Sequence, residues 1–198
     1  MIVVLGRPSA RLLVPDARLI PDGACVAIAR SAVAAGGAVE LVGSVGDDEP
    51  GDAVVVGLGR EGIGHAAVLR DPRAATPVAG RTPGGPAPAL ERGDVDLGLG
   101  YVPDVGVLVL AEALTADAED AALDAAAYHG AQVVAIVPPG TEPARRLAAV
   151  ATVFDAPGTD TPAFAAMVGR FAAELDRGTA PGVGFATATA ASGWEPSA

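Results

Sequence analysis

The sequence predicts an α/β domain built on a mostly parallel sheet with helices on both faces. Three observations predict it. Short runs such as "IVVLG" (2–6) and "VGVLVLAEAL" (105–114) are almost continuously apolar, as strands buried on both faces are. Ala-rich segments with helical spacing stand between them and stop at glycine, as "ACVAIARSAVAAGG" (24–37) does. The two kinds alternate along the chain, and parallel neighbours need such crossovers.

"IVVLG" opens the sheet, and 24–37 is the first long helix. "AVELVGSVG" (38–46) is the next strand. "EPGDAVVVGLGREGI" (49–63) is a helix that begins near Pro50, behind the acidic start Asp47, Asp48 and Glu49, and ends around Gly62. "HAAVLRD" (65–71) is strand-like. Residues 72–104 are the one composition break; their Pro and Gly content predicts loop or short edge strands. The core strand in 105–114 precedes a helix capped by Thr115 or Asp117 and closed by Gly130. "AQVVAIVPPG" (131–140) and "TVFDA" (152–156) are strands, with a helix over 142–151 between them. Helices over 161–178 and 181–193 finish the chain, and no repeat is present.

With 198 residues and 51% hydrophobic content the chain suffices for one domain with a core. A net charge of −11 disfavours nucleic acid and anionic membrane as partners. All 13 cations are arginines, which excludes a phosphate-binding or Schiff-base lysine. The single cysteine, Cys25, rules out an intrachain disulfide and suits the cytoplasm. No apolar run is long enough to span a bilayer. His65 and His129 lack neighbours of ligand type, so no metal site is expected on them.

Over 34–79 the chain resembles the ribokinase-like, or PfkB, carbohydrate kinases. Gly43, Val45, Gly46, Asp48, Gly51, Gly62, Ile63 and Thr76 fall without a gap on that family's Val-Gly-x-Val-Gly-x-Asp-x-x-Gly block and the Thr-Pro lid strand after it. "PAFAAMVGRFAAELDRG" (162–178) and "ATATAASG" (186–193) resemble its last two helices. The resemblance implies one ribokinase-like domain over 1–198, a Rossmann-like sheet under a reduced β lid from about 8–20 and 72–104. The implied reaction moves the γ-phosphoryl of ATP, with Mg, to a sugar or nucleoside hydroxyl. Pairing with a second copy or an active relative would use the lid stretches "ARLLVP" (10–15) and "ATPVAG" (75–80).

The departures fall on the chemistry. Arg11 stands where the family places a sugar-binding Asp, and "DGACVA" (22–27) replaces its Gly-Gly-x-x-Ala-Asn cradle, leaving Gly23. The Asn-x-x-Glu magnesium motif and the Gly-rich nucleotide loop have no counterpart. In "GTDTPAFAAM" (158–167) Pro162 or Thr161 aligns with the catalytic base, and Asp160 is one place short. A capped helix start, with Thr161 as N-cap and Pro162 at N1, asks for less. The expectation is therefore a pseudokinase that acts in binding or assembly. The alternative is an active kinase with Asp160 as base, Gly23 and Asp48 in the substrate pocket, and Gly158 and Thr159 as anion hole. Gly43, Gly46 and Gly51 are expected to serve backbone turns, so alanine at each should lower stability, by about 1 kcal/mol or more where φ is positive.

Overall fold

The computed structural model describes residues 1–159 and 161–195. β1 (Ile2–Leu5) has no exposed surface on any of its four residues. Ile2 and Val4 face one core while Val3 and Leu5 face the other, so the strand is apolar at every position because both faces are covered. Its backbone groups are satisfied by parallel neighbours on each side: β4 (Val39–Gly46) and β6 (Val107–Leu110). β5 (Val68–Asp71), β7 (Gln132–Val137) and β8 (Ala151–Asp155) complete a six-stranded, all-parallel sheet in the order β5-β4-β1-β6-β7-β8.

The core on one face is filled from α1 (Ala24–Ala34), α2 (Glu49–Arg60), α6 (Thr161–Asp176) and α7 (Pro181–Ser192). The other face is covered by α3 (Arg92–Gly100), α4 (Ala116–His129) and α5 (Arg145–Val150). β2 (Ser9–Leu13) and β3 (Arg18–Asp22) form a separate antiparallel hairpin. It is extended by a bridge between Ala10 and Val78, with Ala10 N–H donating to the Pro77 carbonyl at 2.8 Å. No helix among the described residues is long and apolar enough to cross a membrane.

Three expectations need correction. The 72–104 segment holds α3, where loop or short edge strands were expected. Its low propensity, from three glycines in nine residues, is offset by burial of Val95 and Leu99 against the sheet and by an Asp94 carboxylate that accepts from Glu91 N–H at 2.9 Å. α6 begins at Thr161, as the 161–178 span has it, so Thr161 is its first residue and not its N-cap; the residue before it lies outside the described residues. Finally, none of Gly43, Gly46 and Gly51 has positive φ.

Those three glycines are required by close approach instead. A Cβ on Gly43 would strike the Gly6 carbonyl, and one on Gly46 would lie 2.6 Å from the Ala74 carbonyl oxygen. On Gly51 it would meet the Gly46 carbonyl. Alanine at 43 forces the middle of β4 away from the carboxyl end of β1. Gly43→Ala should therefore lower stability by about 1–3 kcal/mol, the usual range for overpacking. Gly158→Ala, whose Cβ would meet nothing within 4 Å, should leave it unchanged. Urea denaturation of both variants checks the pair.

Candidate functional site

The order of strands creates a switch point. From β1 the chain builds outward through β4 and β5, then returns to β6 on the other side of β1. In open α/β sheets ligands bind in the crevice beyond the carboxyl ends of the strands at such a point. Register pairs Leu5 with Leu110, so the residues two places on, Arg7 and Glu112, face each other across the crevice. They are joined to one another. Arg7 Nε and Nη2 donate to Glu112 Oε1 and Oε2 at 3.0 and 2.7 Å, and the Arg7 backbone N–H donates to Oε1 at 2.6 Å. These hydrogen bonds hold the guanidinium charged, its pKa raised above an already high value.

Beneath this pair lies Cys25, in the first turn of α1. Burial, and then the Glu112 charge, push its thiol up to about 12, so it is no nucleophile at neutral pH. Gly23, the N-cap of α1, has φ +102° and sits against the chain leaving β1: a Cβ there would be 3.3 Å from Ser9 Oγ. The positive φ and this close approach account for glycine at position 23. Ala27 supplies no polar group and packs against the core. Arg11 and Asp22, two of the departures from the family's substrate positions, are partners across the hairpin at 3.5 Å.

Asp48 has a different task. It caps α2, its Oδ1 accepting from Gly51 N–H at 2.8 Å, while Oδ2 accepts from Thr76 N–H at 2.8 Å. The buried Thr76 hydroxyl in turn accepts from Gly46 N–H at 2.8 Å. One carboxylate therefore ties together the end of β4, the start of α2 and the strap that leads to the hairpin. Burial acts to raise its pKa, but hydrogen bonds from Thr76 and Gly51 and the charge of Arg70 outweigh it, leaving the carboxyl below its ordinary value.

Gly158 and Thr159 lie elsewhere on the rim. They line an open cleft of about 660 Å³ beyond β8, with Pro139, Phe154, Asp155, Trp194 and Glu195 among its other walls. Four strand spacings separate β4 from β8, roughly 19 Å at normal spacing, so Asp48 and Gly158 lie at different places on the rim. No arginine or histidine is among the described residues lining the cleft, and a Cβ on Gly158 would meet open space. Asp160, the proposed base, lies outside the described residues. Among those described, no group of three or more His, Cys, Asp or Glu is arranged to hold a metal ion.

Sequence reasoning missed Arg7, Glu112 and Trp194. The first two had a signal: "IVVLGR" and "VLVLAE" each carry an apolar strand, one small residue and then a charge, of opposite sign.

No family sequence model matches the chain, and no curated protein matches it significantly. Solved structures do. Sa239 matches with a TM-score of 0.71 and 14% identity, over 100% of this chain and 95% of its own. Aminoimidazole riboside kinase from Salmonella enterica matches with 0.70 and 15%, over 96% and 90%. Phosphofructokinase-2 from Escherichia coli, in complex with fructose-6-phosphate, matches with 0.69 and 15%, over 96% and 92%. The chain has the ribokinase-like fold.

The sign of the Asp48 shift yields a test. A carboxyl whose folded pKa is depressed contributes stability above its unfolded pKa and loses it as pH falls through the folded value. Wild-type stability should therefore drop on acidification below about pH 4, the ordinary Asp range. Asp48→Asn keeps one oxygen to cap Gly51 N–H but turns an amide donor toward Thr76 N–H; it should cost about 1 kcal/mol near neutrality for that lost hydrogen bond and should flatten that acid limb. Denaturant titrations across pH measure both.

Proposed function

We propose that this protein is a ribokinase-like pseudokinase: it keeps the scaffold of a sugar kinase, lacks phosphotransfer, and works by binding or assembly. The observation that carries this reading is the bidentate Arg7–Glu112 pair across the switch-point crevice. A ligand entering there would have to displace a bidentate, charge-assisted pair whose two side chains are 43% and 27% exposed, so it must offer both ions partners at least as good. The Arg11–Asp22 pair satisfies two more groups within the hairpin, and Asp48 spends both oxygens on backbone N–H groups.

Purified protein should transfer no phosphate from Mg-ATP to ribose, fructose, fructose phosphates or adenosine, measured by product formation. Turnover abolished by Asp160→Asn would replace the pseudokinase reading with an active kinase using Asp160 as base.

Assembly is expected through the lid hairpin, as the resemblance implies, and Val14 at its turn is 77% exposed. With a net charge of −11 on each chain, self-association should strengthen with added salt as like-charge repulsion is screened. Val14→Glu should weaken it. Sedimentation velocity over a range of concentration and salt measures both effects, and a strict monomer without a co-purifying protein would remove the assembly role.

A further inference from the structure

The cleft beyond β8 has walls of unusual composition for this chain. All four phenylalanines and the single tryptophan gather behind and beside it. Phe164 and Phe171 are buried, and Phe185 stacks on Phe154 with ring centroids 5.8 Å apart. Trp194 packs edge-on against Phe164 and Phe185, at 5.5 and 6.4 Å. Only Phe154 and Trp194 reach the cleft itself, both partly exposed, and the rings behind fix their orientation. Asp155 and Glu195, both exposed, stand among the lining residues as carboxylates.

We propose that this cleft binds an organic cation that carries an aromatic or other apolar group. The volume, about 660 Å³, falls in the usual range of small-molecule sites. Ring faces attract cations through their quadrupole, and nearby carboxylates add to that attraction. The N-terminus of α6 opposes it with roughly half a positive charge, less than the two carboxylates supply. A compact divalent metal is a poorer occupant: it wants several converging oxygen ligands, and no group of three carboxylates gathers among the described residues. A nucleotide triphosphate is poorer still, since it would bring negative charge to a wall without arginine among the described lining residues.

This proposal stands apart from the loss of phosphotransfer and survives or fails separately. Because Trp194 is the only tryptophan, its fluorescence reports occupancy directly. Benzyltrimethylammonium should change that fluorescence saturably, and added salt should weaken the binding. The double variant Asp155→Asn/Glu195→Gln removes charge from exposed side chains and should reduce affinity roughly fivefold. Calorimetry with Trp194→Phe should show weaker binding, as indole offers the stronger ring face. Absence of a saturable change with the cation would overturn the proposal. So would equal binding of uncharged benzyl alcohol, or unaltered affinity in the double variant. Mg-ATP binding in the cleft more tightly than the cation would overturn it too, whereas only phosphoryl transfer would bear against the pseudokinase reading.

Discussion

The complete burial of β1 is the constraint on which the rest of the molecule depends. Ile2, Val3, Val4 and Leu5 have no exposed surface and divide alternately between the two cores. A strand so placed needs a hydrogen-bonding neighbour along each edge, because an unpaired buried N–H or C=O costs about as much as a lost hydrogen bond. β4 and β6 supply those neighbours in parallel, so each must be reached by a crossover over one face. The two-layered helix arrangement follows from that need. The switch point follows as well, since the chain can flank β1 on both sides only by reversing its direction of growth across the sheet.

Register then carries the constraint out to the rim. Leu5 opposite Leu110 places Arg7 opposite Glu112, at a separation that two backbone-fixed strands cannot easily change. Close packing does similar work on the β4 side: Gly43 lets the middle of β4 meet the carboxyl end of β1, and Gly46 lets the 74–76 strap cross close above β4. Side-chain polarity on this half of the rim is largely consumed by structure. Arg7 is held by Glu112, Arg11 by Asp22, and Asp48 by two N–H groups.

Much of the fold was legible because its strands are buried on both faces and its helices are punctuated. Apolar runs marked β1, β4, β6 and β7, and Gly130, in the left-handed conformation at φ 66°, marked the end of α4. α3 was hidden because its helical character is tertiary: a glycine-rich segment has little propensity of its own, and only the sheet beneath Val95 and Leu99 settles it. The Gly-x-Val-Gly-x-Asp block was legible as a family pattern, but its cause was misread. Its glycines answer to approaching carbonyls, contacts with residues outside the block or with its own far end, which no local propensity encodes. The Arg7–Glu112 pair spans 105 residues and becomes visible only once parallel register is known.

The rim thus divides by how its polar groups are satisfied. On the β1–β4 side each carboxylate discussed meets a donor within the fold, so its hydrogen-bonding capacity is engaged before any ligand arrives. On the β8 side Asp155 and Glu195 stand exposed beside partly exposed aromatic rings, so negative potential and polarisable surface coincide. A chain of net charge −11 already disfavours anionic ligands at long range, and this asymmetry sharpens the preference locally. The sheet sets where the rim lies, and the distribution of exposed charge along it sets what the rim can hold.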